Sequence, residues 1–212
     1  MNFRLKISMV FLLLMSIGRL SAQEYHSVKD ITQLNVEMSQ LAVSTKTICA
    51  DFVQEKHLDF LDVIVESKGA FVFKEPKKIR WEYISPYKYL ILMNEDKFSI
   101  VQEDHVQEFD TKSTEFFQTI NDLIVHSVQV DILNDTHFNT KVFESSSCYK
   151  LVLVPKKKQV KVVLSSIEIL VDKKTRTVNQ LTMYENASDY TVIKFYNKKI
   201  NEDVLDEVFT TH

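Results

Sequence analysis

The residues that could perform chemistry are present in this chain, but their spacing builds neither a catalytic nor a metal site. The six histidines show no H-x-x-x-H or H-E-x-x-H pattern, which is the spacing that holds zinc from one helix. The serine run that ends at Cys148 lacks the G-x-S-x-G pattern of a nucleophile elbow. Asp and Glu are plentiful, yet no pair is singled out for acid–base work. We therefore expect no enzyme, no catalytic residue, no metal and no cofactor; a hydrolase without a recognisable motif is the alternative.

Glycine content and net charge argue against two further kinds of site. Gly69 is the only glycine after residue 22, so neither a Gly-rich phosphate loop nor a dinucleotide fingerprint can form. The net charge is −3, and it falls to −6 without residues 1–22, which hold three basic residues and no acidic one. Nucleic-acid binding needs clustered Lys and Arg in a basic domain. We expect no nucleic-acid partner.

The clearest spacing in the chain belongs to apolar residues. From Lys78 onward, Ile79, Trp81 and Tyr83 alternate with Arg80 and Glu82. In a β-strand such alternation places the three apolar residues on one face and the two charged residues on the other. That apolar face predicts either part of a core or the wall of an apolar cavity.

The elements that position this face are predicted to be mostly short strands. Asn, Asp, Ser and Lys clusters supply the turns, and all three prolines fall between predicted strands. Frequent, closely connected strands favour an antiparallel sheet or barrel, and we expect about 11 of them. The predicted segments are 52–56, 63–67, 69–74, 79–84, 87–93, 98–102, 149–154, 160–164, 167–171, 180–184 and 191–196.

Two segments have helical spacing instead. In the first, Ser27 is a candidate N-cap for a helix whose apolar residues recur every three or four positions. In the second, Thr111 or Ser113 is the candidate cap. Such helices can simply cover a sheet, or they can form a lid over a ligand cavity. Their apolar positions are Ile31, Leu34, Met38 and Leu41 in the first, and Phe116, Phe117, Ile120, Leu123 and Ile124 in the second.

The N-terminus predicts a secretory signal peptide over residues 1–22 and one mature domain over residues 23–212. Arg4 and Lys6 precede an apolar run, and Ala22 is a suitable small residue before the cleavage site. The alternative is a membrane anchor, but the apolar run is shorter than the roughly 20 residues that span a bilayer. Residue 23 is Gln rather than Cys, so we expect a soluble mature protein that is not itself lipidated.

Residues 69–86 resemble the core of the LolA/LolB superfamily of periplasmic lipoprotein carriers. The similarity follows a G-x-hydrophobic-x-hydrophobic-x-x-P-x-x-x-R-W-x-Y-x-x-P pattern, and a weaker match runs from Asp189 to Phe195 and on to Asn197 and Asn201. The resemblance extends from about residue 33 to residue 209. The residues that fit the main pattern are Gly69, Phe71, Phe73, Pro76, Arg80, Trp81, Tyr83 and Pro86.

The resemblance implies a fold, a function and a site. The fold would be α+β and mainly β: an unclosed antiparallel β-barrel covered by lid helices around a hydrophobic cavity. The cavity would hold the acyl chains of lipoproteins that a monomeric shuttle carries from the inner to the outer membrane of a Gram-negative periplasm. A LolCDE-like exporter and an outer-membrane acceptor would be its partners. The implied lipid-binding residues are Phe71, Phe73, Ile79, Trp81, Tyr83, Phe116, Phe117 and Ile120.

Two alternatives stay open on the same fold: a carrier of another amphiphilic lipid, and a lipid-sensing or regulatory domain. Glu75 stands where the lipoprotein carriers typically have an Arg that latches the lid, so a different closure or a different cargo is allowed.

Cys49 and Cys148 are the only cysteines, and an oxidising compartment would permit either a disulfide or two thiols.

Overall fold

The structure is a computed structural model that describes residues 24–61, 63–94, 97–103, 105–110, 133 and 135–211. Within these ranges, twelve antiparallel strands form one continuous sheet. The strands are β1 (His26–Ser27), β2 (Thr47–His57), β3 (Val65–Lys74), β4 (Lys78–Ser85), β5 (Tyr89–Asn94), β6 (Lys97–Gln102), β7 (His105–Asp110), β8 (Phe138–Glu144), β9 (Cys148–Pro155), β10 (Ser166–Asp172), β11 (Val178–Tyr184) and β12 (Tyr190–Ile200).

The strand order across the sheet is β1-β8-β9-β10-β11-β12-β2-β3-β4-β5-β6-β7. Strands β2 to β7 form one meander and β8 to β12 form another, and antiparallel pairing of β12 with β2 joins the two. In the described part of the chain, β1 and β7 are the two edges and no strand pairing joins them. The predicted fold class, a mainly β protein built on an unclosed antiparallel barrel, is confirmed.

One predicted strand is wrong, two predicted strands (63–67 and 69–74) form the single strand β3, and three strands were not predicted. Residues 160–164 contribute to the short helix α2 (Lys158–Lys161) and the turn after it, not to a strand. Val160 and Leu164 are both buried, and the Leu164 N–H donates to the Val160 carbonyl at 2.9 Å, as in a helical turn. Burial at a spacing of four residues therefore overrode the β propensity of a valine-rich segment. The strands that were not predicted are β1, β7 and β8.

The first predicted helix is present as α1 (Thr32–Ser44), with a later start than expected. Ile31 rather than Ser27 is its N-cap residue, and Ser27 belongs to β1. The Asp30 carboxylate accepts a hydrogen bond of 3.0 Å from the Thr32 N–H, which satisfies one of the free donors at the helix start. The helix buries Leu34, Met38 and Ala42. The second predicted helix lies outside the described residues.

Two hydrophobic clusters lie side by side on one face of the sheet, which we call the inner face. The strand register links them continuously, since Leu151 is opposite Ile169, Ile169 is opposite Leu181 and Leu181 is opposite Ile193. The first cluster joins strands β8 to β10 to Leu34 and Met38 of α1. The second joins β12 to strands β2 to β5. Its buried members are Phe52, Phe71, Phe73, Ile79, Tyr83, Met93 and Ile193.

The opposite, outer face of the sheet is covered in part by the C-terminal segment. A 3₁₀ helix (Asp206–Phe209) contacts β4 and β5 there. The Lys74 ammonium donates to the Val204 carbonyl at 2.7 Å and to the Asp206 carboxylate at 2.6 Å. The Arg80 guanidinium donates to the Val208 carbonyl at 3.1 Å. These bonds fix the outer side of the strands whose inner side forms the second cluster.

Candidate functional site

Five of the predicted lipid-binding residues meet on the inner face of strands β3 and β4. Strand pairing places Phe71 opposite Trp81 and Phe73 opposite Ile79. Tyr83 stands opposite Gly69 on the same face. All five belong to the second cluster or pack against it. The other predicted residues, Phe116, Phe117 and Ile120, lie outside the described residues.

The alternation predicted for β4 places the charges as expected. Arg80 and Glu82 are on the outer face, where they form an ion pair with an N–O distance of 3.0 Å. The guanidinium also holds the C-terminal segment through Val208. The charged side chains of this strand therefore point away from the apolar inner face.

Aromatic rings dominate the second cluster and pack edge to face. The Trp81 ring lies 5.3 Å from Phe52, 5.1 Å from Phe71 and 6.1 Å from Phe195, measured between ring centroids. Phe52 also meets Tyr83 at 5.1 Å. Edge-to-face pairs at these distances hold the rings in defined orientations. Neither Phe52 nor Phe195 was predicted as a site residue; the position of Phe195 in the weaker family match is the signal that could have identified it.

A small polar group of side chains interrupts this apolar wall. The Tyr83 hydroxyl donates a hydrogen bond of 2.8 Å to the Gln54 side-chain oxygen, and the Tyr83 ring stacks on Tyr89 at 4.1 Å. Burial raises the pKa of Tyr83 well above its usual value, and the nearby Tyr89 raises it further. Burial also raises the pKa of Tyr89. The surroundings of both hydroxyls therefore disfavour a negative charge.

The indole nitrogen of Trp81 is buried, and it has no hydrogen-bond partner of normal geometry in the described part of the protein. Burial and the nearby Tyr89 raise the pKa of Tyr83, and the Trp81 side chain acts in the opposite direction. An indole nitrogen can only donate. Trp81 thus presents an unused donor inside the apolar wall.

The two clusters differ in how they are covered. Residues of α1 pack into the first cluster, whereas no helix residue belongs to the second among the described residues. Trp81, Tyr89, Ile91 and Phe195 pack against the second cluster and remain only partly buried. The accessible apolar and aromatic surface of the inner face therefore comes from Trp81 and these neighbours, whereas the other four predicted residues on β3 and β4 are buried.

One end of the sheet, next to the Tyr83–Tyr89 pair, exposes further apolar residues. Phe60, Val63 and Ile64 are exposed in the connection between β2 and β3. Beside them opens a surface pocket of about 360 Å³, whose wall includes His57 stacked on Tyr190 at 4.2 Å. No sequence motif indicated this pocket. Its lining residues are His57, Leu58, Asp59, Leu61, Val63, Ile64, Ser188 and Tyr190.

Glu75 and the two cysteines occupy peripheral positions. The Glu75 carboxylate forms an ion pair with Lys46, and both side chains are exposed at the β3–β4 turn and the start of β2. Cys49 and Cys148 are free thiols. They lie on β2 and β9, which β10, β11 and β12 separate in the sheet. Of the two alternatives, a disulfide or two thiols, the structure therefore has two thiols. Burial raises the pKa of Cys49.

The described ranges contain neither a metal site nor a membrane-spanning helix. They contain no group of three or more His, Cys, Asp or Glu side chains placed to hold a metal ion. None of the helices in those ranges is long and apolar enough to cross a membrane.

These features define an open, antiparallel β-barrel protein with an apolar, aromatic inner wall. A family profile described as outer membrane lipoprotein carrier protein LolA matches residues 43–212. The chain belongs to this family, and the resemblance found in residues 69–86 is confirmed. A search among curated proteins finds no significant match.

Several solved structures are similar in fold at low sequence identity. An uncharacterised conserved protein from Thermus thermophilus has a TM-score of 0.52 and 8% identity, over 85% of this chain and 93% of that one. A LolA superfamily protein from Nitrosomonas europaea has a TM-score of 0.47 and 10% identity, over 84% and 97%. The Mycobacterium tuberculosis lipoprotein LppX has a TM-score of 0.45 and 13% identity, over 81% and 96%. The first of these likenesses supports the fold alone.

Proposed function

We propose that this protein is a non-enzymatic carrier that binds acyl chains against its inner face, and that its principal cargo is the acyl chains of lipoproteins. The observation that carries the proposal is the second cluster. It is a continuous apolar and aromatic surface across β12 and β2 to β5, and none of its described members comes from a helix. The family membership of the chain supports the same conclusion.

The energetics suit a carrier. Removing one methylene from water is worth about 0.8 kcal/mol, so a bilayer stabilises a chain of roughly fourteen methylenes by on the order of 10 kcal/mol relative to water. A carrier has to match that value closely, because it must both load and release its cargo. An apolar wall of partly buried rings can approach it without the fixed geometry that several hydrogen bonds would impose. Within the cluster, Trp81 and Phe195 have this character.

We further propose that Phe71, Phe73, Ile79, Trp81 and Tyr83 build the wall, and that Phe116, Phe117 and Ile120 contribute from the second predicted helix. The acyl chain would enter beside the Tyr83–Tyr89 pair, because exposed apolar residues at that sheet end mark a surface suited to lipid or apolar partners. The residues exposed there are Phe60, Leu61, Val63, Ile64, Ile84 and Tyr87.

The cellular role we propose is that of a periplasmic shuttle in a Gram-negative envelope, exported by the signal peptide of residues 1–22. It would receive cargo from a LolCDE-like exporter at the inner membrane and deliver it to an outer-membrane acceptor. The family description as an outer membrane lipoprotein carrier supports this role.

The test compares one lipoprotein in its acylated and its unacylated form. We expect the purified protein to form a complex with the acylated form only, detected by co-elution and native mass spectrometry. Ile91→Glu, on the partly buried inner face, should weaken the complex because it places a carboxylate against hydrocarbon. Val162→Glu, at a position that is 82% exposed, is the control and should bind normally. Equal binding of both lipoprotein forms would contradict the proposal.

A second arm identifies natural cargo. Native mass spectrometry of the protein isolated from its own periplasm should reveal acylated protein. A lipid of another class would instead support the alternative carrier. The absence of any acyl compound, together with no binding in the first arm, would exclude both carriers.

A further inference from the structure

The inner wall contains a group of polar side chains that acyl-chain binding by itself does not require. The group, which we call the polar centre, consists of Trp81, Tyr83, Tyr89 and Gln54. The Tyr83 hydroxyl donates a hydrogen bond of 2.8 Å to the side-chain oxygen of Gln54. Tyr89 lies against Tyr83, with the two rings 12° from parallel. Four polar side chains thus converge on a face whose other neighbours are Phe52, Phe71 and Phe195.

The unused donor of this group is the Trp81 indole N–H. Its nitrogen is buried without a hydrogen-bond partner of normal geometry in the part of the chain that the structure describes. A buried donor that lacks an acceptor costs free energy. The rings of Phe52, Phe71 and Phe195 hold the indole at 5.1 to 6.1 Å, so its orientation is fixed by packing. The donor is therefore available to an acceptor that the described part of the protein does not supply.

We propose that the polar centre binds the neutral carbonyl group that joins an acyl chain to its headgroup, with Trp81 Nε1 as the donor. The inference rests on the proposed function and adds a specific recognition step to it. An ester or amide carbonyl is a strong acceptor at the end of an apolar chain. It would satisfy the indole N–H while the methylenes lie against the aromatic wall. Trp81 then sets how far the chain enters.

The surroundings favour a neutral carbonyl over the carboxylate of a free fatty acid. The groups that act on the Tyr83 hydroxyl are Tyr89 and Trp81, and neither is a cation. Among the described residues no cation acts on this hydroxyl, so a carboxylate here would be a buried charge without a counter-ion from them, which is heavily penalised. The two cations of this strand are on the outer face: Lys78 pairs with Asp206, and Arg80 is bonded to Glu82 and Val208.

The experiment uses two lysophospholipids that differ by one carbonyl: 1-acyl and 1-O-alkyl lysophosphatidylcholine of equal chain length, each below its critical micelle concentration. Isothermal titration calorimetry gives both affinities. We expect the acyl lipid to bind roughly two- to tenfold more tightly, which is the value of one neutral hydrogen bond. Trp81→Phe should abolish this preference, because it keeps an aromatic ring and removes the donor.

Two further variants separate recognition from packing. Phe71→Leu removes apolar contact without a polar group, so it should weaken both lipids by the same factor and keep the preference. Tyr83→Phe leaves the indole donor in place and should retain at least part of the preference; it also provides a test if Trp81→Phe does not fold. In infrared spectra, a ¹³C-labelled ester carbonyl should shift to lower frequency on binding the wild type and return towards its unbonded frequency in Trp81→Phe.

The outcomes distinguish the two proposals. Equal affinity for the acyl and alkyl lipids, or an unshifted carbonyl band in the wild type, overturns the polar centre and leaves the carrier function intact. A free fatty acid that binds more tightly than the ester overturns the preference for a neutral group. If neither lysophospholipid binds the wild type, both this inference and acyl-chain binding fail.

Discussion

At the scale of single residues, Gly69 explains how the aromatic wall can form. A Cβ atom at this position would lie 1.9 Å from the Glu82 carbonyl oxygen and 2.7 Å from two carbons of the Phe52 ring. Phe52 therefore occupies the space that a side chain on β3 would need. From there its ring reaches both Trp81 and Tyr83. The single glycine of the described residues thus has a packing role and no role in phosphate binding.

Gly69→Ala should destabilise the fold, because the Cβ conflict involves backbone as well as a ring. We expect the free energy of unfolding to fall by about 1–3 kcal/mol, measured by urea denaturation. Gly69→Ala combined with Phe52→Leu should recover only part of the loss, since it relieves the ring contact and leaves the Glu82 contact. Full recovery in the double variant would show that the backbone contact does not matter.

Ile79→Glu is expected to affect stability rather than binding alone. Ile79 is 1% exposed and stands opposite the buried Phe73 and Met93, so it belongs to the core. A carboxylate there lacks a partner, and we expect a loss of several kcal/mol or no folding. The control Val162→Glu should change the unfolding free energy by no more than about 0.5 kcal/mol. A stable Ile79→Glu variant would mean that water reaches this position.

At the scale of elements, Asn201 joins the end of α1, the start of β2 and the end of β12. Its side-chain oxygen accepts from the Lys46 N–H at 2.7 Å, and its amide donates to the Ser44 carbonyl at 3.1 Å. Its φ of 60° lies in the left-handed region, as does that of Asn197 beside the bulge in β12. Asn tolerates this region better than most residues. The two asparagines of the weaker family match therefore have backbone roles.

Substitutions at Asn201 should follow a graded order. Asn201→Ala loses both hydrogen bonds and strains the left-handed backbone, so we expect a loss of about 2–3 kcal/mol in the unfolding free energy. Asn201→Gly loses the same bonds without the strain and should cost about 1 kcal/mol less. Urea unfolding of the two variants measures the order. If the Ala and Gly variants lose the same free energy of unfolding, the left-handed backbone at residue 201 does not contribute to the loss in the Ala variant.

The C-terminal 3₁₀ helix should be held in a pH-dependent way. Hydrogen bonds from Lys74, and then from Lys78, lower the pKa of Asp206 below its ordinary value. Because the pKa of Asp206 is lower in the folded state, its carboxylate contributes fully to the free energy of unfolding above the unfolded pKa of about 4. This contribution is lost as the pH falls through the folded pKa. Asp206→Asn should therefore be less stable than the wild type at pH 7, and the difference should vanish towards pH 2. A difference that stays constant from pH 7 to pH 2 would contradict this assignment.

The elements differ in how well their sequences predict them. Strand β4 was predictable because Ile79, Trp81 and Tyr83 alternate with the charged residues Arg80 and Glu82. Strand β7 has every residue exposed, so no buried face imposes an alternation that a sequence pattern could reveal. Val160 and Leu164 resemble a strand by composition, and only their contact with the first cluster makes their segment helical. The site residues Phe52 and Phe195 lie opposite each other on β2 and β12. These strands are far apart in the sequence, and periodicity within a strand does not reveal which distant strand pairs with it.

At the scale of the whole molecule, the division of the inner face into two clusters gives them different roles. The first cluster is completed by α1 within the same chain, so its apolar surface contributes to folding. The second cluster leaves Trp81, Tyr89 and Phe195 partly buried. On the proposed function, cargo that covered these rings would add apolar burial to the folded state only. Loading and stability would then be thermodynamically linked.

Trp81 should report this linkage, because it is the only tryptophan of the chain and lies in the second cluster. We expect an acylated lipoprotein to shift Trp81 emission to shorter wavelength, since cargo removes water from the ring. The same titration should raise the free energy of unfolding by about 2.7 kcal/mol at a free cargo concentration one hundred times the Kd. The unacylated lipoprotein is the control and should change neither quantity. Both responses should saturate with a single Kd, because one binding event causes them. A cargo that stabilises the protein while Trp81 emission stays constant would place the acyl chain elsewhere, and the exposed pocket beside His57 and Tyr190 would then be the next site to test.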